Sequence, residues 1–414
     1  MSHRGRRTGS GARVLRAPAP AKGTIVKALR GADAVAEAMR QVNPGVVAAY
    51  PITPQTDVVE RFSEFVADGE VGTEFVTVES EHSAMSACIG AAAAGCRVMT
   101  ATSANGLALM WEMLYIAASY RAPIVMAVAN RALSGPINIH CDHSDSMGAR
   151  DSGWIQIYSS TVEEVYDNVI QAVRIGESKD VRLPVMVMFD GFIISHLLER
   201  VRVLPDKKVQ SFIGPPRPVY SLLDIDHPLT YGPLDLFDYY FEHKRQQVDA
   251  MEYAEKAITD VGKEYGQVSG RLYGYYEAHE LDDAEVAVVA LGSTASTIKG
   301  LIPEIRDERI KGGLLKVRLF RPFPTRDVVR RLSATKAVAV LDRSASFGAD
   351  GGPLYLEVSN ALGRAGAKTK VTNYIYGLGG RDISHEHIMR VYQDLTRMAR
   401  GRLKPGTRYL GVRE

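Results

Sequence analysis

Residues Thr77–Gly95 read TVESEHSAMSACIGAAAAG and set a lone carboxylate, Glu81, where a strand hands over to a helix. Residues 73–79 alternate apolar and polar side chains, the period of a half-buried strand. Residues 83–94 are almost all small and read as a helix closed by Gly95. Ser80 suits the N-cap, and Glu81 in the first turn would complement the helix dipole. A carboxylate at a strand's carboxyl end can equally face a ligand, so its role depends on what the neighbouring strands bring beside it.

Upstream, residues 45–50 (GVVAAY) predict a buried strand that stops at Pro51-Ile52-Thr53-Pro54, after a short amphipathic helix over 31–41. A residue before proline is pushed out of the helical region, so Tyr50 and Thr53 are both held extended. Pro54 suits the first position of a helix running to residue 67, which leaves Thr53 as an N-cap or a ligand-facing hydroxyl. Downstream the pattern repeats: strand 97–102, turn Ser103-Ala104-Asn105-Gly106, helix 107–120, strand 124–129, then strand 155–158, helix 162–177 and strand 184–189. Strands alternating with helices imply a doubly wound, parallel α/β sheet. Ligands of such sheets bind beyond the carboxyl ends of the strands. Thr53, Glu81, Asn105, Arg131 and Asp190 each follow a strand directly and are expected along that one edge. The planar fork of Arg131 suits a carboxylate ligand, with a structural salt bridge as the alternative.

Residues 135–153, GPINIHCDHSDSMGARDSG, gather His140, Cys141, Asp142, His143 and Asp145. These are metal-ligand types, but no known ligand spacing is matched, and a polar loop over the pocket or against a partner chain is the favoured reading. Residues 201–283 are rich in proline and then in charge, predicting an extended linker with one long helix from about residue 243 to 265. A second alternating α/β unit begins near residue 285, with strands over 286–291, 315–319, 337–341 and 370–374. Its Gly-rich loops, 346–353 and 377–380, lack both the P-loop lysine and a GxGxxG fingerprint, so packing is favoured over phosphate binding. The expected division is therefore a basic tail over 1–22, a first α/β domain over 23–200, a linker over 201–283 and a second α/β domain over 284–414.

Among 414 residues, 50 Lys and Arg face 48 Asp and Glu, which makes no case for a nucleic-acid partner. No run approaches membrane-spanning length. The three cysteines, Cys88, Cys96 and Cys141, form no disulfide framework and suit a reducing, cytoplasmic setting; they are too few for an iron–sulfur cluster with four thiolate ligands. The first 22 residues carry Arg4, Arg6, Arg7, Arg13, Arg16 and Lys22 with no acid, the composition of a disordered tail rather than of an amphipathic transit peptide.

The stretches YPITPQT, ESEHSAMSACIGAAAAG, SANGLALM, NRALSGPINIHCDHSDSMGARDSGWIQ, MFDGF, SFGADGGPL and GLGGRDI together resemble the alpha chains of the 2-oxoacid:ferredoxin oxidoreductase family, in its pyruvate:ferredoxin branch. The resemblance runs from about residue 27 to 400. It implies a thiamine diphosphate pyrimidine-binding domain followed by a domain similar to the transketolase C-terminal one. Glu81 would then hydrogen-bond the aminopyrimidine nitrogen and favour the imino tautomer that acts as an internal base. Asn105 is expected at the cofactor too, Arg131 at the substrate carboxylate and Thr53 in a hydrogen bond to the substrate. The reaction implied is reversible oxidative decarboxylation of pyruvate with coenzyme A to acetyl-CoA and CO2, with electrons passing to ferredoxin. There is no GDG followed some thirty residues later by asparagine. The diphosphate half, its Mg2+ and the 4Fe–4S clusters are therefore expected on partner chains: a beta chain, a ferredoxin-like delta chain and a gamma chain concerned with coenzyme A. The same chemistry on 2-oxoisovalerate or another 2-oxoacid, and a non-catalytic assembly subunit, are the competing expectations.

Overall fold

A computed structural model describes residues 23–216 and 218–413. The basic tail expected over residues 1–22 lies outside the described residues. In chain order the elements are β1 (Ile25–Arg30), α1 (Gly31–Val42), β2 (Val46–Ala49), α2 (Thr56–Ala67), β3 (Glu74–Thr77), α3 (Glu81–Ala93), β4 (Val98–Thr102), α4 (Ala104–Leu109), α5 (Trp111–Ser119), β5 (Val125–Asn130), α6 (Ser144–Gly148), β6 (Ile155–Tyr158), α7 (Val162–Gly176), β7 (Val185–Asp190), β8 (Leu198–Val203), α8 (Asp206–Ile213) and α9 (Tyr240–Ser269). The second half contributes β9 (Tyr276–His279), β10 (Val286–Ala290), α10 (Gly292–Asp307), β11 (Gly312–Val317), β12 (Leu319–Arg321), α11 (Thr325–Leu332), β13 (Ala337–Asp342), α12 (Pro353–Arg364), β14 (Lys370–Tyr376), α13 (His385–Ala399) and β15 (Thr407–Leu410).

Strands β4, β5, β6 and β7 are buried at every position, because helices cover both faces of their sheet. That sheet has the order β12-β6-β7-β5-β4-β2-β3 and is parallel except for β12, which runs antiparallel to β6. The second unit thus lends a strand to the first. Its own sheet, β15-β14-β13-β10-β11-β9, is parallel apart from β9. Strands β1 and β8 form a separate antiparallel pair. Sequence pattern gives no sign of that pair, because neither strand alternates cleanly.

Local chemistry explains the elements around the site. Ser80 caps α3 by accepting a hydrogen bond from the Ser83 N–H at 3.2 Å. At the other end Cys96 N–H donates to Ala91 O and Gly95 N–H to Ala92 O, a Schellman closure for which Gly95 supplies the left-handed turn at φ +94°. Two expectations need correction here. The helix expected over 107–120 is two helices, α4 and α5, meeting at Met110, and the first begins three residues earlier at Ala104. Helix α2 begins at Thr56 behind Gln55, so Thr53 is not its N-cap.

The linker does not extend freely. Helix α9 is 30 residues long and lays Ala250, Ala254, Ile258, Val261 and Tyr265 onto the core of the first unit. Beneath its end the buried Asp167 of α7 accepts hydrogen bonds from Tyr265, Arg271 and Tyr273. The surface that this segment wraps is therefore the chain's own first unit. Its proline-rich part still leaves Leu223, Ile225, Leu234 and Phe237 exposed.

Candidate active site

Parallel pairing carries the ends of β2, β3, β4 and β5 to one edge. Glu81 opens α3 there and is only 6 % exposed. Its carboxylate is covered by α4 through a residue with no side chain. A Cβ on Gly106 would come within 2.6 Å of Glu81 Oε1 and 2.5 Å of Thr102 Oγ1. Among the described residues nothing donates a hydrogen bond to the Glu81 carboxylate, and the Thr102 hydroxyl is buried without a partner. Burying an unpaired polar group is costly, so the Thr102 hydroxyl, beside the Glu81 carboxylate, fits a ligand edge that supplies a hydrogen-bonding group.

Arg131 follows β5 and is 7 % exposed. Its Nη1 donates to Thr53 O at 2.9 Å and its Nε to Asn138 O at 2.9 Å. No carboxylate among the described residues pairs with it, so the structural salt bridge is absent. A buried guanidinium that meets only neutral carbonyls retains its attraction for an anion. Thr53 is brought to it by its backbone, with an exposed side chain. Asn105 stands exposed beside the same loop, where its Oδ1 accepts from Ser134 N–H at 3.1 Å. Of the five strand-end residues, Thr53 and Arg131 are in direct contact, and Glu81 and Asn105 flank Gly106.

Asp190 reaches the expected edge, ending β7 in register with Asn130, but its side chain is taken up by other partners. It is 1 % exposed and turns toward the second unit. There His143 Nε2 lies 2.8 Å from its Oδ1, Arg343 donates to its Oδ2 at 3.0 Å, and the Ser293 N–H and hydroxyl donate to the same oxygen. Burial alone would push the acid's pKa up, but His143, Arg343 and Ser293 hold it well below the usual carboxylate range.

Of the potential metal ligands in the 135–153 loop, His140, Asp142 and Asp145 go to separate tasks. His140 is exposed and stacks on Phe192, with ring centroids 5.1 Å apart. Asp142 accepts from Ser144 and from Gly379 N–H. Cys141 and His143 do gather beside Asp190, with ligand atoms within 4.8 Å of one another. Arg343 brings a positive charge to that cluster, donating to Asp190 Oδ2 at 3.0 Å. Burial pushes the Cys141 thiol far up, which leaves it a poor thiolate. The Gly-rich loops are likewise packing features. The α12 N-terminus is filled by Asp342, which accepts from Leu354 N–H at 2.8 Å and Tyr355 N–H at 3.0 Å. Burial pushes the Asp342 carboxyl up to about 6. Gly379 meets Asn138 and Asp142. Sequence reading missed Thr102, took Gly106 only as a turn residue and Asp145 only as a potential metal ligand; the closeness of the first two to Glu81 is a matter of space that no local pattern reveals.

The chain matches the family model described as pyruvate flavodoxin/ferredoxin oxidoreductase, thiamine diP-binding, over residues 37–263, and that of pyruvate:ferredoxin oxidoreductase core domain II over residues 284–388. It is 58 % identical over 387 residues to pyruvate synthase subunit PorA of Thermotoga maritima, covering 94 % of this chain and 98 % of that one. It is 43 % identical over 375 residues to ketoisovalerate oxidoreductase subunit VorA of Pyrococcus abyssi, covering 90 % and 94 %. The fold is similar to a solved 2-oxoglutarate:ferredoxin oxidoreductase from Magnetococcus marinus with 2-oxoglutarate, coenzyme A and succinyl-CoA bound. That match has a TM-score of 0.68 and 20 % identity, and covers 89 % of this chain and 65 % of that one. Both α/β units thus match one family in the order in which they stand along the chain, and this chain belongs to the pyruvate:ferredoxin oxidoreductase family as an alpha-type subunit.

Proposed function

We propose that this chain is the alpha-type subunit of a thiamine-diphosphate-dependent pyruvate:ferredoxin oxidoreductase. The enzyme oxidatively and reversibly decarboxylates pyruvate with coenzyme A to acetyl-CoA and CO2, and ferredoxin takes the electrons. The observation that carries this reading is a pair of buried opposite charges at one sheet edge, Glu81 and Arg131, neither with a counter-charge among the described residues. Arg131 takes the carboxylate of the 2-oxoacid, and Thr53 lies beside it to meet the substrate oxygen. Glu81, with Thr102 and the space left by Gly106, fits the edge of an aminopyrimidine ring, where the carboxyl holds a proton shared with a ring nitrogen. When bound, thiamine diphosphate supplies the electron sink for decarboxylation.

The chain carries only the pyrimidine half of that site. With three cysteines it has too few thiolates for a 4Fe–4S cluster, so the clusters, Mg2+ and the diphosphate grip belong to beta, gamma and delta type partners. The exposed apolar side chains between residues 219 and 241 fit burial against such partners. Among the described residues no helix is long and apolar enough to cross a membrane, and free cysteines suit a cytoplasmic setting.

The test is turnover of the complex purified through this chain, with pyruvate or 2-oxoisovalerate, coenzyme A and a viologen acceptor. Arg131→Ala is expected to lower kcat/KM for pyruvate by roughly 10- to 150-fold, the worth of a charged hydrogen bond, with the complex still assembled. Faster turnover of 2-oxoisovalerate would move the function to the branched-chain substrate, which the VorA relative favours. No turnover of either, with partners complete, would leave an assembly subunit.

Gly106→Ala tests the cofactor half separately. Its methyl group would lie on the Glu81 carboxylate. Affinity of the complex for thiamine diphosphate, titrated by fluorescence quenching, is expected to fall by about tenfold or more, in keeping with an overpacked contact of 1–3 kcal/mol. Unchanged affinity would remove Glu81 from the pyrimidine edge.

A further inference from the structure

Two backbone segments must hold their relative positions if Asn105 and Arg131 are to act on one ligand: the turn after β4 and the end of β5. Helix propensity does not fix the first of these. Ala104, at the start of α4, sits at φ +40°, a left-handed conformation that a residue with a Cβ rarely adopts. Strain of this kind persists only where the surroundings over-determine it.

The Ser103 hydroxyl ties this turn to Ala129 O at 2.5 Å, and a second tie reaches Ala104 itself from one buried side chain. Asp145, at the start of α6, is 4 % exposed, and hydrogen bonds reach its carboxylate from both segments. Its Oδ2 accepts from the Ala104 N–H at 3.1 Å and from the Arg131 N–H at 3.0 Å. Its Oδ1 accepts from Asn130 Nδ2 at 2.8 Å and from its neighbour's Ser146 N–H at 2.7 Å. A single oxygen atom therefore bridges the turn that carries Asn105 and Gly106 to the strand end that carries Arg131. Nothing about this bridge requires an acid for helix formation, since α6 is one short turn. Asparagine cannot replace it, because all four partners are donors, two on each oxygen, and an amide would turn its NH2 toward two of them.

We propose that Asp145 is the positioning residue of this site, a buried carboxylate that joins the β4 turn to the β5 end and so sets where Arg131 meets the substrate carboxylate. The inference rests on the reading of Arg131 given above, and it adds a residue that touches neither substrate nor cofactor. Its action runs through the backbone of Ala104 and Arg131, with Asn130 Nδ2 holding its other oxygen.

The experiment is a double-mutant cycle on the whole complex with Asp145→Asn and Arg131→Ala, alone and together, accompanied by hydrogen exchange of the peptides spanning residues 103–107 and 130–134. Asp145→Asn is expected to raise KM for pyruvate roughly tenfold, the cost of leaving buried donors unpaired, with a smaller change in kcat. Exchange at Ala104 and Arg131 should accelerate while the rest of the chain keeps its protection. The double variant should match Arg131→Ala in kcat/KM within about twofold, since a residue acting through Arg131 has nothing left to act on. Independent, multiplicative losses would overturn the proposal, as would unchanged exchange at both amides. Arg131→Ala without effect on kcat/KM would instead sink the substrate reading itself, so the two failures are distinct. Should Asp145→Asn not yield a complex, Asn130→Ala, which removes one donor from the same carboxylate, must raise KM in the same direction; an unchanged KM would overturn the proposal.

Discussion

Glu81→Gln is expected to lower turnover of the assembled enzyme by roughly 100- to 10,000-fold, the range for losing a positioned proton-transfer group. The substitution is nearly isosteric. The amide would occupy the same space under Gly106 and keep a hydrogen-bonding oxygen and nitrogen, so cofactor affinity should change little by comparison. What it cannot do is hold or release a proton at the oxygen that faces the ligand edge. Local structure supports a functional rather than a structural loss: the cap of α3 is the Ser80 hydroxyl, and the helix is closed at Gly95 by backbone bonds, neither of which involves the carboxylate. The melting transition should therefore shift by no more than a surface change would produce. Retention of most turnover by Glu81→Gln, in a complex that still binds thiamine diphosphate, would show that this chain scaffolds its partners rather than sharing in the chemistry.

The edge on which Glu81 lies was legible from sequence because it depends on short-range pattern. Strands that are buried on both faces read as continuous apolar runs, helices of small residues read as close-packed, and a parallel sheet places strand ends together whatever its strand order. Thr53, Glu81, Asn105 and Arg131 follow from that alone. The features that were not legible depend on distant pairings. Met110 divides a continuous helical pattern because the chain must bring Gly106 over Glu81 and still lay Leu114 and Ala117 into the core. The role of Asp145 is hidden because its partners, Ala104 and Arg131, stand 41 and 14 residues away. Strand β12 joins the first sheet although it belongs to the second half of the chain, and its partner β6 gives no sign of an unfilled edge. The His140 to Asp145 cluster was chemically suggestive but undetermined; the fold sends His140, Asp142 and Asp145 to different neighbours and keeps Cys141 and His143 together beside Asp190.

Asp190 shows how far such a distant pairing can redirect a residue, and it carries the second large expected effect. By position it should face the ligand, yet its partners Ser293 and Arg343 come from 103 and 153 residues downstream. Arg343 is 3 % exposed, so Asp190→Asn would leave a buried guanidinium without its counter-charge. Breaking one side of such a pair costs about 3–5 kcal/mol, whereas replacing both sides by apolar groups is often neutral. Asp190→Asn is accordingly expected to lower the melting transition of the chain by on the order of 10 °C, and addition of Arg343→Met should recover most of that loss. The pH dependence carries the same signature with a fixed sign. Because the folded pKa lies below the unfolded value of about 4, the contribution of the ionised Asp190 is complete above that pH. It is lost progressively as pH falls below about 4, toward the folded pKa. Asp342, raised to about 6 by burial, acts in the opposite direction, its neutral form being favoured in the fold between about pH 4 and 6. Wild type should therefore lose stability more steeply than Asp190→Asn below about pH 4, with the two curves separated by a constant offset at neutral pH. Parallel curves through the acid range would mean that the Asp190–Arg343 pair contributes nothing, leaving β12, apolar packing and bonds such as Lys316 to Glu164 and Gly379 to Asp142 to hold the two units together.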